Sequence, residues 1–151
     1  MVSIAHAVTG AFIASRLPQP SIYVPLCLAS HFLLDYVHHY DVGVAMKKYH
    51  FNKKQIVFWE ALDLIGAVAL VAIFFQQTPG HFSPNIWTGA FTGILPDLIE
   101  ASNFFFHRPM NIFRPFYYFH EHYHHSTQVF WWGVVPQIIL VSIIALLVTF
   151  S

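Results

Sequence analysis

The stretch from Val129 to Phe150 reads VFWWGVVPQIILVSIIALLVTF, 22 residues without a charged side chain. As a helix it would extend roughly 33 Å, enough to cross the hydrocarbon core of a bilayer. Trp131 and Trp132 at its start fit the aromatic belt of a membrane–water boundary. The rest of the chain has the same character: of 151 residues, 56% are hydrophobic and only 9% charged, and the mean hydropathy is +0.55. This composition is that of an integral membrane protein rather than a soluble domain. The expected fold is all-α, an integral membrane helical bundle of four to five helices, with residues 1–151 forming one domain.

Four more apolar segments precede the last. Val2 to Leu17 is short, stops at Pro18 and Pro20, and reads as a short span or a tucked-in helix. Ser21 to about His39 has Pro25 near its start, where a helix tolerates it, and ends in the polar-aromatic run from Tyr36 to Asp41. A basic loop with Lys47, Lys48, Lys53 and Lys54 leads to Ile56–Phe75, a clear span. Pro84–Phe106 is interrupted by Gly93 and Pro96, so a kink or a fresh helix is expected there.

If all five segments cross, the N-terminus and the second and fourth loops share one side with six of the seven Lys and Arg residues, leaving Arg16 on the other. The positive-inside rule then puts that side in the cytoplasm. The first residues lack the positive n-region of a secretory signal and carry His6 in their apolar stretch, so they are expected to remain on the mature protein. Cys27, the one cysteine, reads as a small buried hydrophobe. Formal net charge is zero with His neutral, which argues against a nucleic-acid partner. Glycine spacing makes no phosphate loop, and there is no G-x-S-x-G elbow for a serine nucleophile.

Histidine is the anomaly, with 11 residues against seven Lys plus Arg and seven Asp plus Glu. Four lie between His120 and Ser126, in the run HEHYHHS. Neutral imidazole is the commonest metal-binding side chain, and such density is hard to explain as solvated surface. Other ionisable residues sit inside apolar segments, where burial is costly: His6, His31, Asp35, Glu60, Asp63, Asp97 and Glu100. Under the topology above, all of them converge with the cluster at the cytoplasmic level. His31 and Asp35, four apart, share a helix face and one metal, or merely form a pair that pins two helices. Glu60 with Asp63, and Asp97 with Glu100, set two acids three apart, which in lipid need a cation between them or a held proton.

The first choices as metal ligands are His6, His31, Asp35, Asp97, His120 and His125, with Asp63, Glu60 and His124 in reserve. His120 and His124 share a face if their segment is helical, and His122 is the one to give to solvent. His38, His39, His50, His81 and His107 read as interfacial residues, and Ser126 as a cap for the last helix. The four lysines read as a solvated loop that would also draw anionic lipid heads to that face.

Four motifs carry a family resemblance: Ala5-His6-Ala7, Leu28-Ala-Ser-His-Phe-Leu-Leu-Asp35, Leu95-Pro-Asp97, and His120 with His125-Ser126. Together they resemble the inner-membrane metal-dependent hydrolases of the YdjM type, related to the all-helical zinc phospholipase C and P1 nuclease group. The S-H-x-x-x-D helix here precedes L-P-D where the family pattern has it last, and the second acid after L-P-D is Glu100, one residue further on. The resemblance implies a helical bundle holding two or three ions, zinc first with iron or manganese as alternatives, and hydrolysis of phosphate esters.

The function expected is therefore metal-dependent hydrolysis of a phosphoester, in an anionic lipid or lipid-linked phosphate reached from the cytoplasmic interface. Asp97 or Asp63 would bridge metals, Glu60 or Glu100 would accept the proton of the attacking water, and Arg108 or Arg114 would contact phosphate. Two rivals stand beside it. His120, His124 and His125 look like one box of a di-iron lipid hydroxylase or desaturase, yet aspartates replace the remaining boxes. A non-enzymatic metal-binding or transport protein would need polar residues through the whole depth of the bundle, whereas the outer halves of the third and fifth segments are apolar.

Overall fold

The computed structural model describes residues 1–76, 82–106 (backbone alone from 102) and 113–150. Among them are seven helices and no strand: α1 (Ser3–Arg16), α2 (Pro20–Tyr36), α3 (Val42–Tyr49), α4 (Lys53–Phe75), α5 (Pro84–Phe106), α6 (Arg114–Tyr123) and α7 (Phe130–Thr149). The all-helical fold follows the sequence reading, but the four to five helices expected there are only the apolar ones. The two additional helices, α3 and α6, form in stretches that read as loops because they are short and carry no long apolar run. Local chemistry starts them. The Asp41 carboxylate accepts from the Val44 N–H at 2.7 Å and caps α3, and Pro115 occupies the first turn of α6.

The remaining boundaries have similar causes. Pro20 opens α2, and a reciprocal capping box between Asn52 and Gln55 opens α4. His50 closes α3 at φ 54°, a left-handed backbone. Pro96 lies buried inside α5, so no new helix starts there.

The first helix is the hub. It packs on α2, α4, α5 and α7, with half of its 14 residues buried. At about 21 Å it is shorter than a bilayer core, which favours the tucked-in reading. Its tightest contact is with α5: Gly10 and Gly89 face each other's backbone, and a Cβ on Gly93 would lie 2.5 Å from the His6 carbonyl oxygen. Only glycine permits this approach, the small-residue packing typical of helices in lipid. Ala7, Ala11, Ala67, Val71, Ala90 and Ile94 fill the core around it.

Contacts fix which helix ends lie together. Asp63, near the middle of α4, accepts from the N–H groups of Ser3 and Ile4 at 2.6 and 3.3 Å. Gln137, near the start of α7, accepts from the Val2 N–H at 3.0 Å and donates to the Tyr40 carbonyl at 2.8 Å. The start of α1 thus lies against the middle of α4, the first half of α7 and the residues that follow α2. At the opposite end Arg16 donates to the Leu147 carbonyl at 3.1 Å, and Tyr23 to Asn85 at 3.3 Å. Two helices, α4 and α7, are long and apolar enough to cross a membrane. Most of their surface faces outward, including Phe58, Ile65 and Ile73 on α4 and Ile139, Ile143 and Leu147 on α7.

Candidate metal centre

His31 and Asp35 occupy the last two turns of α2, both fully buried, with His31 Nε2 3.1 Å from Asp35 Oδ2. The glycine contact between α1 and α5 lays His6 on His31, their rings stacked at 4.0 Å between centroids. His6 Nε2 is 3.1 Å from Asp35 Oδ1 and 3.9 Å from Asp97 Oδ2. Asp97 reaches in from α5, 3.6 Å from His31 Nε2 and 3.7 Å from His120 Nε2.

The residues after α6 are tied to those after α2 by a short backbone ladder. The His125 N–H donates to the Asp35 carbonyl at 2.8 Å, the His39 N–H to His125 at 3.2 Å, and the Thr127 N–H to His39 at 2.8 Å. Gly133 of α7 packs directly on this ladder, where a Cβ would meet the backbone of His39 and Tyr40. The ladder seats α6 so that His120 Nε2 lies 3.1 Å from both Asp35 Oδ2 and His31 Nε2.

Two groups result. His31, Asp35, Asp97 and His120 form the first, and Asp35, His39 and His124 the second; in each, the donor atoms lie close enough to share one ion. In the second, His39 Nε2 is 3.0 Å from His124 Nε2, and both are 3.2 Å from Asp41 Oδ2. Asp35 belongs to both groups. Zinc–nitrogen bonds of about 2.0–2.1 Å in tetrahedral geometry separate ligand atoms by roughly 3.3 Å, close to the spacings seen here.

The outer nitrogens decide what the inner ones can do. His31 Nδ1 donates to the Gly93 carbonyl at 2.8 Å and His39 Nδ1 to the Val37 carbonyl at 2.9 Å. A carbonyl only accepts, so each neutral ring carries its proton on Nδ1 and turns a bare Nε2 inward. Glu100 lies against Nδ1 of His120 and orients that ring likewise. This is the outer-shell arrangement that fixes histidine tautomers around metals. Bare nitrogens facing carboxylates about 3 Å away repel unless a cation, proton or metal, sits among them. Outside the apolar helices, the effect is visible in two groups. Burial opposes the charge on His120, but Asp35 and Glu100 outweigh it and raise its pKa to about 9. Burial would likewise raise the pKa of Asp41, yet His124, His39 and the Val44 N–H hold it well below the usual carboxylate range. The Met1 α-amino group also contacts Asp35 Oδ1.

The other expected site residues lie elsewhere. His6, though 3.1 Å from Asp35, belongs to neither group, and neither does His125, whose Nδ1 donates to the Tyr36 carbonyl at 3.1 Å. Asp63 ties down the start of α1, and Glu60 is exposed on α4. Arg114 is exposed and bonded to the Tyr118 hydroxyl at 3.3 Å; Arg108, His81 and His107 fall outside the described residues. His39 and Asp41 went unrecognised in the sequence. A signal was available for His39, which follows Asp35 by the same four residues by which His31 precedes it.

Comparison with known proteins finds no matching family model, curated protein or solved structure.

Proposed function

We propose that this chain is a membrane-embedded, metal-dependent phosphoesterase acting at the cytoplasmic interface on a lipid or lipid-linked phosphate, as the YdjM-type resemblance would have it. The observation that carries the reading is the buried set of inward-facing Nε2 atoms around Asp35, held from behind by carbonyls and a carboxylate. The Met1 α-amino group and the His120 ring are the cations set against Asp35, and a divalent ion would be held besides by the bare Nε2 lone pairs of His31 and His39.

His31, His120 and Asp97 would hold one ion, His39 and His124 a second, with Asp35 between them and zinc the first choice. Bound divalent ions supply Lewis acidity toward a phosphoryl oxygen and an activated water. Asp97 and Glu100 are the less enclosed acids, with side chains 27% and 55% exposed, which would leave the first ion open to water from their side. Asp97 would also accept the proton of the attacking water, while Glu100 orients His120. Glu60, exposed and outside both groups, has no part in this assignment.

Membrane placement is supported by the outward apolar faces of α4 and α7; a core helix of a soluble protein would be covered. Orientation is supported by Lys47, Lys48, Lys53, Lys54 and Arg114, which belong to α3 and the starts of α4 and α6, at the site's end of the bundle.

The test is elemental analysis of the purified chain followed by a phospholipid screen for released phosphate or head group. Bound zinc with turnover that Asp97→Asn abolishes is the expected result. Two irons with oxygen consumption would move the chain to the oxidoreductase class. Zinc without phosphoester turnover would make it a structural metal protein.

A further inference from the structure

A cavity of about 590 Å³ opens beside the second group, between α3, α4, the first residues of α1, and α7. Its size is within the roughly 300–1,000 Å³ of small-molecule sites. Trp59 and Leu70 of α4 and Phe130, Val134, Ile138 and Val141 of α7 form an apolar wall. Among its polar lining groups, the Gln137 amide is committed: it donates to the carbonyls of Tyr40 and Gly133, both at 2.8 Å, and accepts from the Val2 N–H. Asp41 is different. One carboxylate oxygen caps α3, while Oδ2 has no hydrogen-bond partner and faces the imidazoles of His39 and His124.

The cavity therefore has a polar end at the second group and an apolar body running away from it. Trp59 to Leu70, and Phe130 to Val141, each cover twelve residues, roughly 16 Å of helix from first to last. That is about half of a 30 Å hydrocarbon core, the depth of one leaflet. We propose that the cavity holds the hydrocarbon chain of an amphiphilic substrate drawn from the leaflet on the site's side, with its phosphate past Asp41, toward the ion that His39 and His124 would hold. The substrate class becomes a phosphate ester of a long-chain alcohol or lipid rather than a soluble phosphate. This rests on the membrane and metal reading above.

The test uses the full chain in zinc-containing nanodiscs, with hexadecyl phosphate bearing a diazirine near the end of its chain. Photolysis and peptide mapping should place the label on Leu70, Ile138 and Val141. Excess unlabelled hexadecyl phosphate should suppress it and butyl phosphate should not. Val141→Trp, which fills the far end, should lose this labelling while keeping its metal. Should that variant fail to fold, the wild-type map with its two competitors still decides. Label spread over outward residues such as Ile65 and Ile143, uncompeted by either phosphate, would overturn the proposal. Parallel measurements of metal content and of hydrolysis of a chainless aryl phosphate separate the two readings. Hydrolysis with dispersed label removes the chain site alone; competed cavity label without metal removes the phosphoesterase reading alone.

Discussion

Asp35 is the residue on which both groups turn. Its Oδ2 meets His31 and His120, and its Oδ1 lies 3.8 Å from His39, so a neutral amide there would face five-membered rings with half of its acceptors replaced by donors. Asp35→Asn should lose bound metal altogether, whereas His39→Ala should lower it from about two equivalents to about one by removing a ligand of the second group alone. His125→Ala should leave metal content unchanged, because that ring points to a backbone carbonyl. Elemental analysis of the three variants checks all of this. Asp63 offers a contrast within the same small region. Since it serves the N–H groups that open α1, Asp63→Ala should cost about 0.5–2 kcal/mol of stability, the range for lost helix caps, with metal retained.

At the scale of elements, the crossing of α1 and α5 sets the distance between His6 and the rest of the site. Gly10→Val would drive a branched side chain into the Gly89 backbone. The helices must then separate, with a stability loss of about 1–3 kcal/mol or more and weaker metal retention, since His6 and Asp97 ride on the two helices that part. Thermal melting in detergent with and without added zinc measures both effects. The ladder between the residues after α2 and after α6 is the second positioning device. It orders α6, a helix of ten residues whose own propensity would not sustain it in isolation.

For the whole molecule, ligands drawn from α2, α5, α6 and the segment before α3 make metal binding a cross-link between helices. Chelator should therefore lower the melting temperature, and restored zinc should raise it, by mass action on the folded state. The sign of the pH dependence follows from the ligands: imidazole must be neutral and carboxylate ionised to bind. Metal affinity should therefore fall as pH drops below about 9, the raised value of His120, because protons then compete with the ion for that ring. An affinity for zinc that is the same at about pH 5 and about pH 9 would contradict histidine ligation. Cysteine labelling should find positions 48 and 114 on one side of the membrane, and labelling from opposite sides would end the proposed topology.

Composition and the run from Val129 to Phe150 were enough to identify apolar helices, because hydropathy summed over twenty residues is a property of the chain itself. Spacing within one helix was equally legible, as with His31 and Asp35, since the helical repeat alone puts those residues side by side. The sequence could not say which residues meet across helices. His125 and Asp63 matched the chemistry of ligands, yet backbone groups of neighbouring segments took them. His39 and Asp41 looked interfacial until the pairing of two non-helical segments turned them inward. That pairing depends on contacts between residues more than eighty positions apart, and on glycines that let backbones touch. Local pattern encodes neither, and packing decides both.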